Sequence, residues 1–257
     1  MTDQRRVHAI QTALRDAISD GATRVGPFLV TIDPAAPGPF RNFAVPDDHA
    51  APRAGDIAAL CEYFDSVGRL TRLEFVAPQP TLEQALADAG FVIDNRLTVL
   101  ALPDGSALRE APLAPGLILD EPSTDERLRA LAAMQNAAYG EDGVNDADVA
   151  RLNRTRAGGG AVVAAWDADG FAVAGGVLGT PRGALAEIYG IAVAADQRRR
   201  GLGSAVAAAL SRIALNRGIA PYLQCEGPGE RRMYEGIGYE KVGELIDSRA
   251  PAPAGQH

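Results

Sequence analysis

An α+β fold is expected from three observations. Segments with apolar residues every three or four positions alternate along the chain with short strand-like runs, the pattern of a mixed sheet flanked by helices. The length of 257 residues suits one large domain or two modest ones. The order of elements also repeats. Gly90-Phe91 and Gly238-Tyr239 stand 148 residues apart, and the same spacing sets Ala44-Val45 on Ala192-Val193, Asp48 on Asp196 and Gly55 on Gly203. Each half then reads strand, loop, helix, strand, helix, strand. The chain is therefore read as a tandem of two related units, residues 1–110 and 115–249, each a mixed, mostly antiparallel sheet with flanking helices. Residues 250–257, rich in Pro and Ala, read as a disordered tail.

In the first half, Val7, Ile10, Leu14 and Ile18 predict a helix over 3–19. Strands are expected at 28–32 and 41–45, on either side of a Pro/Gly-rich stretch. Asp56 is expected to cap a helix with Ile57, Leu60, Cys61, Phe64 and Val67 on one face and Gly68 as its stop. A strand over 73–76, a helix capped by Thr81 and a strand over 91–102 follow, and the turn-rich stretch 103–115 is a candidate linker. In the second half a strand at 117–119 precedes helices over 125–138 and 146–156. Strands at 161–166 and 171–178 flank the hairpin signal Asp167-Ala-Asp-Gly170, and another is expected over 186–193. A helix over 204–217 turns Val206, Ala209, Leu210 and Ile213 inward. A strand at 221–225, a helix over 229–237 and a strand over 239–246 complete the unit. Trp166 reads as strand core and Cys225 as a buried thiol.

Composition narrows the function. With 25 Lys+Arg against 33 Asp+Glu the net charge is −8, which disfavours nucleic acid and anionic membranes as partners and leans toward a cationic substrate. Lys241 is the sole lysine. Cys61 and Cys225 offer no disulfide framework or metal spacing, and His8, His49 and His257 are scattered, so no metal site and no Cys/His hydrolase is expected. The start, MTDQRRVHAI, lacks an apolar run, and no window approaches ~18 apolar residues. A cytoplasmic protein is expected.

The chemistry concentrates in Glu187-Ile-Tyr-Gly-Ile-Ala-Val193 and the loop Arg198-Arg-Arg-Gly-Leu-Gly203 before a helix at Ser204. Glycines at 201 and 203 permit positive φ and close approach, so backbone N–H groups can point outward at the positive end of a helix dipole. Three arginines reinforce an anion site for phosphate or pyrophosphate. A dinucleotide loop would want a third glycine where Val206 stands, and the P-loop lysine is missing.

The arrangement resembles the GNAT superfamily of acyl-CoA-dependent N-acyltransferases. Its (Gln/Arg)-x-x-Gly-x-(Gly/Ala) signature matches Arg198-Arg-Arg-Gly201-Leu-Gly203, and Met233-Tyr234-Glu235-x-x-Gly238-Tyr239 resembles the family's later helix. The resemblance covers residues from about 115 to 246. It implies that Ile191, Ala192 and Val193 offer main-chain groups to pantetheine. By the same resemblance Arg198, Arg199, Arg200, Gly201, Leu202, Gly203 and Ser204 hold the pyrophosphate of acetyl-CoA, a co-substrate. A backbone N–H near Ile191, freed by a splay in the strand, would bind the oxyanion, and Tyr234 would be the acid for the departing thiolate. Glu187 is the best-placed carboxylate for a base, with a solvated or cross-strand-paired residue as the equal alternative. Tyr139 and Glu141 are read as exposed loop residues or acceptor-pocket lining. The sequence departs from the family pattern at Gly227, where an Asn is usual, with Pro228 and Gly229 next. In the first half Arg53 stands at the place of Gly201 and Leu86 at that of Tyr234, which marks that unit as degenerate.

The expected activity is transfer of an acetyl group to a primary amine, on a small molecule or peptide, by direct attack. The runner-up is a non-catalytic acyl-CoA-binding or regulatory module, and a nucleotide-dependent oxidoreductase is a third class. Either a monomer or a homodimer is compatible with this reading.

Overall fold

In a computed structural model, which describes residues 3–34 and 41–251, the apolar rows of the sequence become helices laid on strands. The chain divides into two compact units, one running to Val99 and taking in the stretch from Val242, the other spanning Leu100–Lys241.

The first unit contains α1 (Asp3–Ala17), β1 (Thr23–Val25), β2 (Phe28–Thr31), β3 (Phe43–Pro46), α2 (Ala54–Ser66), β4 (Arg72–Ala77), α3 (Pro80–Asp88), most of β5 (Val92–Ala101) and most of β11 (Glu240–Arg249). Its strand order is β1-β2-β3-β4-β11-β5, with β3–β4 parallel and β1–β2, β2–β3 and β4–β11 antiparallel. Phe28, Leu60, Phe64, Leu73 and Leu82 are fully buried at its centre. Two expected caps move. Helix α2 begins before Asp56, which stands at its third helical position, and α3 begins at Pro80, whose fixed φ suits a first helical residue, rather than after Thr81. The expected stretch between β2 and β3 lies partly outside the described residues, as does most of the expected tail.

The second unit contains β6 (Ile118–Asp120), α4 (Asp125–Tyr139), α5 (Asp146–Ala157), β7 (Ala161–Trp166), β8 (Ala172–Leu178), β9 (Leu185–Val193), α6 (Leu202–Asn216), β10 (Ala220–Cys225) and α7 (Pro228–Gly236). Its strand order is β10-β9-β8-β7-β6, parallel at β10–β9 and antiparallel elsewhere. Alternate residues of β7 separate its two faces. Val163 and Ala165 pack with α6, while Val162 and Ala164 pack with α4 and α5. Helix α6 starts at Leu202 rather than Ser204. Its buried row is Val206, Ala207, Leu210, Ser211 and Ala214, and Ala209 and Ile213 stay partly exposed. The stretch expected as a linker is packed: Leu108 and Leu113 lie against the second unit's core, and Arg109 N donates to Ile237 O at 3.0 Å. Trp166 is core, as expected, with Nε1 donating to Asp120 and the Arg127 guanidinium 4.1 Å from its ring centre.

The 148-residue spacing recurs in the element boundaries. Helices α2 and α6 start at Ala54 and Leu202, and β4/β10, α3/α7 and β5/β11 match at both ends. The last strand does not stay with the unit that precedes it in sequence. From Val242 it belongs to the first unit, where Glu244 to Arg249 pair with Ala77 to Arg72.

Candidate functional site

The bend between β9 and α6 is built from main chain. After Val193 a short 3-10 turn over Ala195–Gln197 leads to Arg198 in extended conformation, and then Arg199 and Gly201 both take left-handed angles, φ 65° and 77°. Arginine pays for that angle; Gly201 adopts it freely. Residues 198–201 are exposed, whereas Leu202 and Gly203 are buried and Ser204 is half-buried. Helix α6 has no side-chain cap and no acidic residue in its first turn. Its first paired amide is Ala205 N, to Gly201 O at 3.0 Å, and among the described residues the amides of Arg199 to Ser204 have no protein acceptor. The result is a row of free donors at the positive end of a helix, the chemistry of an oxyanion or phosphate cradle. Arg198 Nε reaches Val193 O at 3.4 Å, and Arg200 bonds Gln197; among the described residues the Arg199 guanidinium has no partner.

Next to this bend β9 parts from β10. Their parallel register runs from Leu185↔Ala220 to Ile188↔Leu223 and ends, although β9 continues to Val193 and β10 to Cys225. Beyond Ile188 the register with β10 gives β9 no partner on that side. Ala192 is buried and in register with Gly175 of β8, and Val193 with Ala174. Ile191 O already accepts from Tyr139 Oη at 3.2 Å.

Tyr234 on α7 is 7% exposed, its ring 6.3 Å from that of Tyr239 at an interplanar angle of 62°. Burial first, and the charge of Glu230 next, push its phenol well above the ordinary tyrosine range, so it stays protonated at neutral pH. The Cys225 thiol is likewise pushed up, chiefly by burial, which fits an inert thiol. Glu187 stands in register with Tyr222 of β10, and its charge adds to the burial that raises the Tyr222 phenol. By alternation along β9, Glu187 shares the α4 side with Tyr189, whereas Tyr234 belongs to the cluster on the α6 side. The start of α7 is reshaped around Gly227 as N-cap with no side-chain bond and Pro228 as first residue.

Three residues enter that sequence reasoning passed over or left in a loop. Tyr139 ends α4 rather than lying in a loop, 59% exposed, with its hydroxyl on β9. Gln135, one turn earlier, is buried and donates to Gly190 O at 2.6 Å. Glu230 is close enough to raise both the Tyr234 and Tyr139 phenols behind the burial that dominates each. A polar residue on the otherwise apolar row Leu128, Leu131, Ala132 was the available signal for Gln135. Among the described residues no group of His, Cys, Asp and Glu could hold a metal ion, and no helix is long and apolar enough to cross a membrane.

Residues 128–239 match the model of the acetyltransferase (GNAT) family. No curated protein shows a significant match to the chain. Among solved structures it is similar to a GCN5-related N-acetyltransferase from Kribbella flavida, at 19% identity over 96% of each chain and a TM-score of 0.78. It is similar to a tandem GNAT protein from the clavulanic acid biosynthesis pathway, at 14% identity over 100% of this chain and 98% of that one, with a TM-score of 0.63. An acetyltransferase of the GNAT family from Colwellia psychrerythraea is 12% identical over 95% and 97% of the two chains, with a TM-score of 0.63. At such identities the likeness shows a shared fold: a mixed sheet flanked by helices, of GNAT type.

Proposed function

We propose that the second unit binds acetyl-CoA or a related acyl-CoA and transfers the acyl group to a primary amine by direct attack. The observation that carries this reading is the bend, exposed from Arg198 to Gly201, with unpaired amides from Arg199 to Ser204, following a strand that is open on one side. Those amides and the three arginines would hold the pyrophosphate, and the open edge of β9 from Ile191 to Val193 would receive the pantetheine arm. The family match over residues 128–239 supports the same reading.

In the transfer, the amine nitrogen attacks the thioester carbonyl, the tetrahedral oxyanion accepts a hydrogen bond from the Ile191 N–H, and the carbon–sulfur bond breaks to give the amide and CoA thiolate. Tyr234, held neutral by burial, would hydrogen-bond the departing sulfur. With its phenol raised so far, stabilising the thiolate is a better description of its role than full proton delivery. Glu187 would take the amine proton through water, and Glu230, whose charge reaches Tyr139 and Tyr234, is the rival carboxylate. The first unit is read as a degenerate copy that binds no acyl-CoA. The repeated element boundaries and the likeness to a tandem GNAT protein support the tandem, and the degeneracy rests on Arg53 and Leu86 standing where Gly201 and Tyr234 do.

A thermal-shift screen of acyl-CoAs, followed by thiol release with a panel of primary amines, tests the reading. Acetyl-CoA at 100 times its Kd should stabilise the protein by about 2.7 kcal/mol. Tyr234→Phe should lower kcat about 100-fold with little change in KM. Binding without turnover for any amine would favour a non-catalytic acyl-CoA module, and stabilisation by NAD(P) but not CoA would sink the reading.

A further inference from the structure

The aim of the Ile191 N–H depends on how the backbone around it is held. The register of β8 with β9 passes from Val177↔Tyr189 to Gly175↔Ala192, so Gly190 and Ile191 together face the single residue Gly176. This is a β-bulge, with Gly190 at φ 63°, and such an insertion re-aims local main chain. Strand β10 offers these two residues no partner either, since its register with β9 ends at Ile188.

Helix α4 holds both carbonyls of the bulge. Gln135 Nε2 donates to Gly190 O at 2.6 Å, and Tyr139 Oη, four residues on and so on the same helix face, donates to Ile191 O at 3.2 Å. The Gly190–Ile191 peptide is trans, the one cis bond among the described residues being Ala77-Pro78. In a trans peptide the N–H points opposite to the C=O. Fixing Gly190 O against α4 therefore turns the Ile191 N–H away from α4.

Gln135 is also costly to carry. It is 4% exposed, and its Oε1 is buried with no partner. A leucine would fill that space without sealing an acceptor from water, so packing alone is an incomplete account of an amide here. What the amide adds is the bond donated to Gly190.

We propose that Gln135 is a positioning residue for acyl transfer: by clamping Gly190 O it sets the direction of the Ile191 N–H as oxyanion donor where β9 and β10 part. This rests on the acyl-transfer reading above. Tyr139, exposed and more loosely bonded, is a secondary tether of the same bulge.

The test uses the full chain, acetyl-CoA and an amine that the wild type acylates. Gln135→Met and Gln135→Leu both remove the donor while keeping an apolar fill. Either should lower kcat about 100-fold, the scale of one lost or misaimed oxyanion donor, with the Kd for acetyl-CoA changed less than threefold. In 15N-labelled protein the Ile191 amide resonance should shift on adding acetyl-CoA in the wild type and shift much less in Gln135→Met. Because two variants and a spectroscopic reading are used, one poorly folded variant leaves the outcome decidable. Unchanged kcat and an unchanged Ile191 response in the variants, with an active wild type, overturn this assignment alone. Parallel loss of binding and rate would also overturn it, in favour of a purely structural role. A wild type that neither binds nor turns over acetyl-CoA removes the acyl-transfer reading and this assignment together.

Discussion

The junction of β3 with α2 and the junction of β9 with α6 stand 148 residues apart and are closed in opposite ways. At the first, Arg53 is an extended N-cap with φ −85°, and Asp56 Oδ2 accepts from Arg53 N at 2.8 Å. A carboxylate already sits in the first turn, where the helix dipole favours negative charge. At the second, Gly201 is left-handed, Ser204 stands at the place of Asp56, and the amides from Arg199 to Ser204 remain unpaired. The second junction leaves its donors open as much by withholding a cap as by supplying glycine. The first unit has the same helix in the same place and has filled its donor end with its own acid.

Swapping these features should break the difference. Ser204→Asp places the first unit's carboxylate among the free amides, where it takes their hydrogen bonds and repels a pyrophosphate. Acetyl-CoA binding measured by calorimetry should weaken about 100-fold, with folding retained. The reciprocal Asp56→Ser should gain no acyl-CoA binding, because Arg53 leaves the backbone extended where Gly201 turns left-handed. Next in size is Gly201→Val, which forces a β-branched residue to a left-handed angle costing roughly 1–2 kcal/mol. Relaxing that strain tilts the amides out of line, and the Kd for acetyl-CoA should rise about tenfold. An unchanged Kd in both variants would mean the bend is not the anion site.

This contrast also explains what the sequence could and could not reveal. Gly201, Gly203 and the arginines are legible because their meaning is local: a left-handed residue, a helix start and a charge, all within seven positions. Tyr234 was singled out by the resemblance of Met233-Tyr234-Glu235-x-x-Gly238-Tyr239 to a family helix, and its role stays a proposal. Gln135 was not, because its role depends on a bulge 55 residues further on. Strand β1 was missed because its three residues, Thr23 to Val25, are largely exposed and carry no alternating pattern. The placement of β11 in the first unit was invisible because strand pairing across roughly 170 residues leaves no mark on local periodicity. Asp56 was recognised as a capping residue but shifted by three positions, since an acid at the cap and an acid at the third helical position write the same local signal.

A further contrast lies in the strands β4 and β10. Glu74 stands 148 residues before Tyr222, and its cross-strand partner is Asp247, a like charge. Burial chiefly, then Asp247, pushes the Glu74 carboxyl up to about 7, with Arg72 opposing. A raised carboxyl favours the protonated form in the folded state. Its contribution to stability is thus complete below the unfolded value near 4.5 and is lost as pH rises through about 7. Glu74→Gln should be more stable than the wild type at pH 8, by an amount on the order of 1 kcal/mol, with the gap closing toward pH 4. Paired urea melts at the two pH values check this, and a gap that is constant with pH would place the Glu74 effect in packing.

The smallest expected effect is also the finest probe of the two junctions. Gly55 and Gly203 occupy matching second positions of α2 and α6. A methyl group at Gly55 would meet nothing within 4 Å, whereas at Gly203 it would meet Met233 Sδ at 2.9 Å, the far part of a flexible side chain. Alanine gains up to about 1 kcal/mol over glycine in a helix interior, less near an end. Gly55→Ala should therefore stabilise the protein by about 0.5 kcal/mol in urea melts. Gly203→Ala should come out near zero, as the shift of Met233 offsets the same gain. The acetyl-CoA Kd should stay within twofold in Gly203→Ala, because the amide at 203 keeps its direction when the residue is helical. A large loss of binding there would show that the ligand needs bare backbone at 203, and would move the weight of the site from the N–H groups to the space above them.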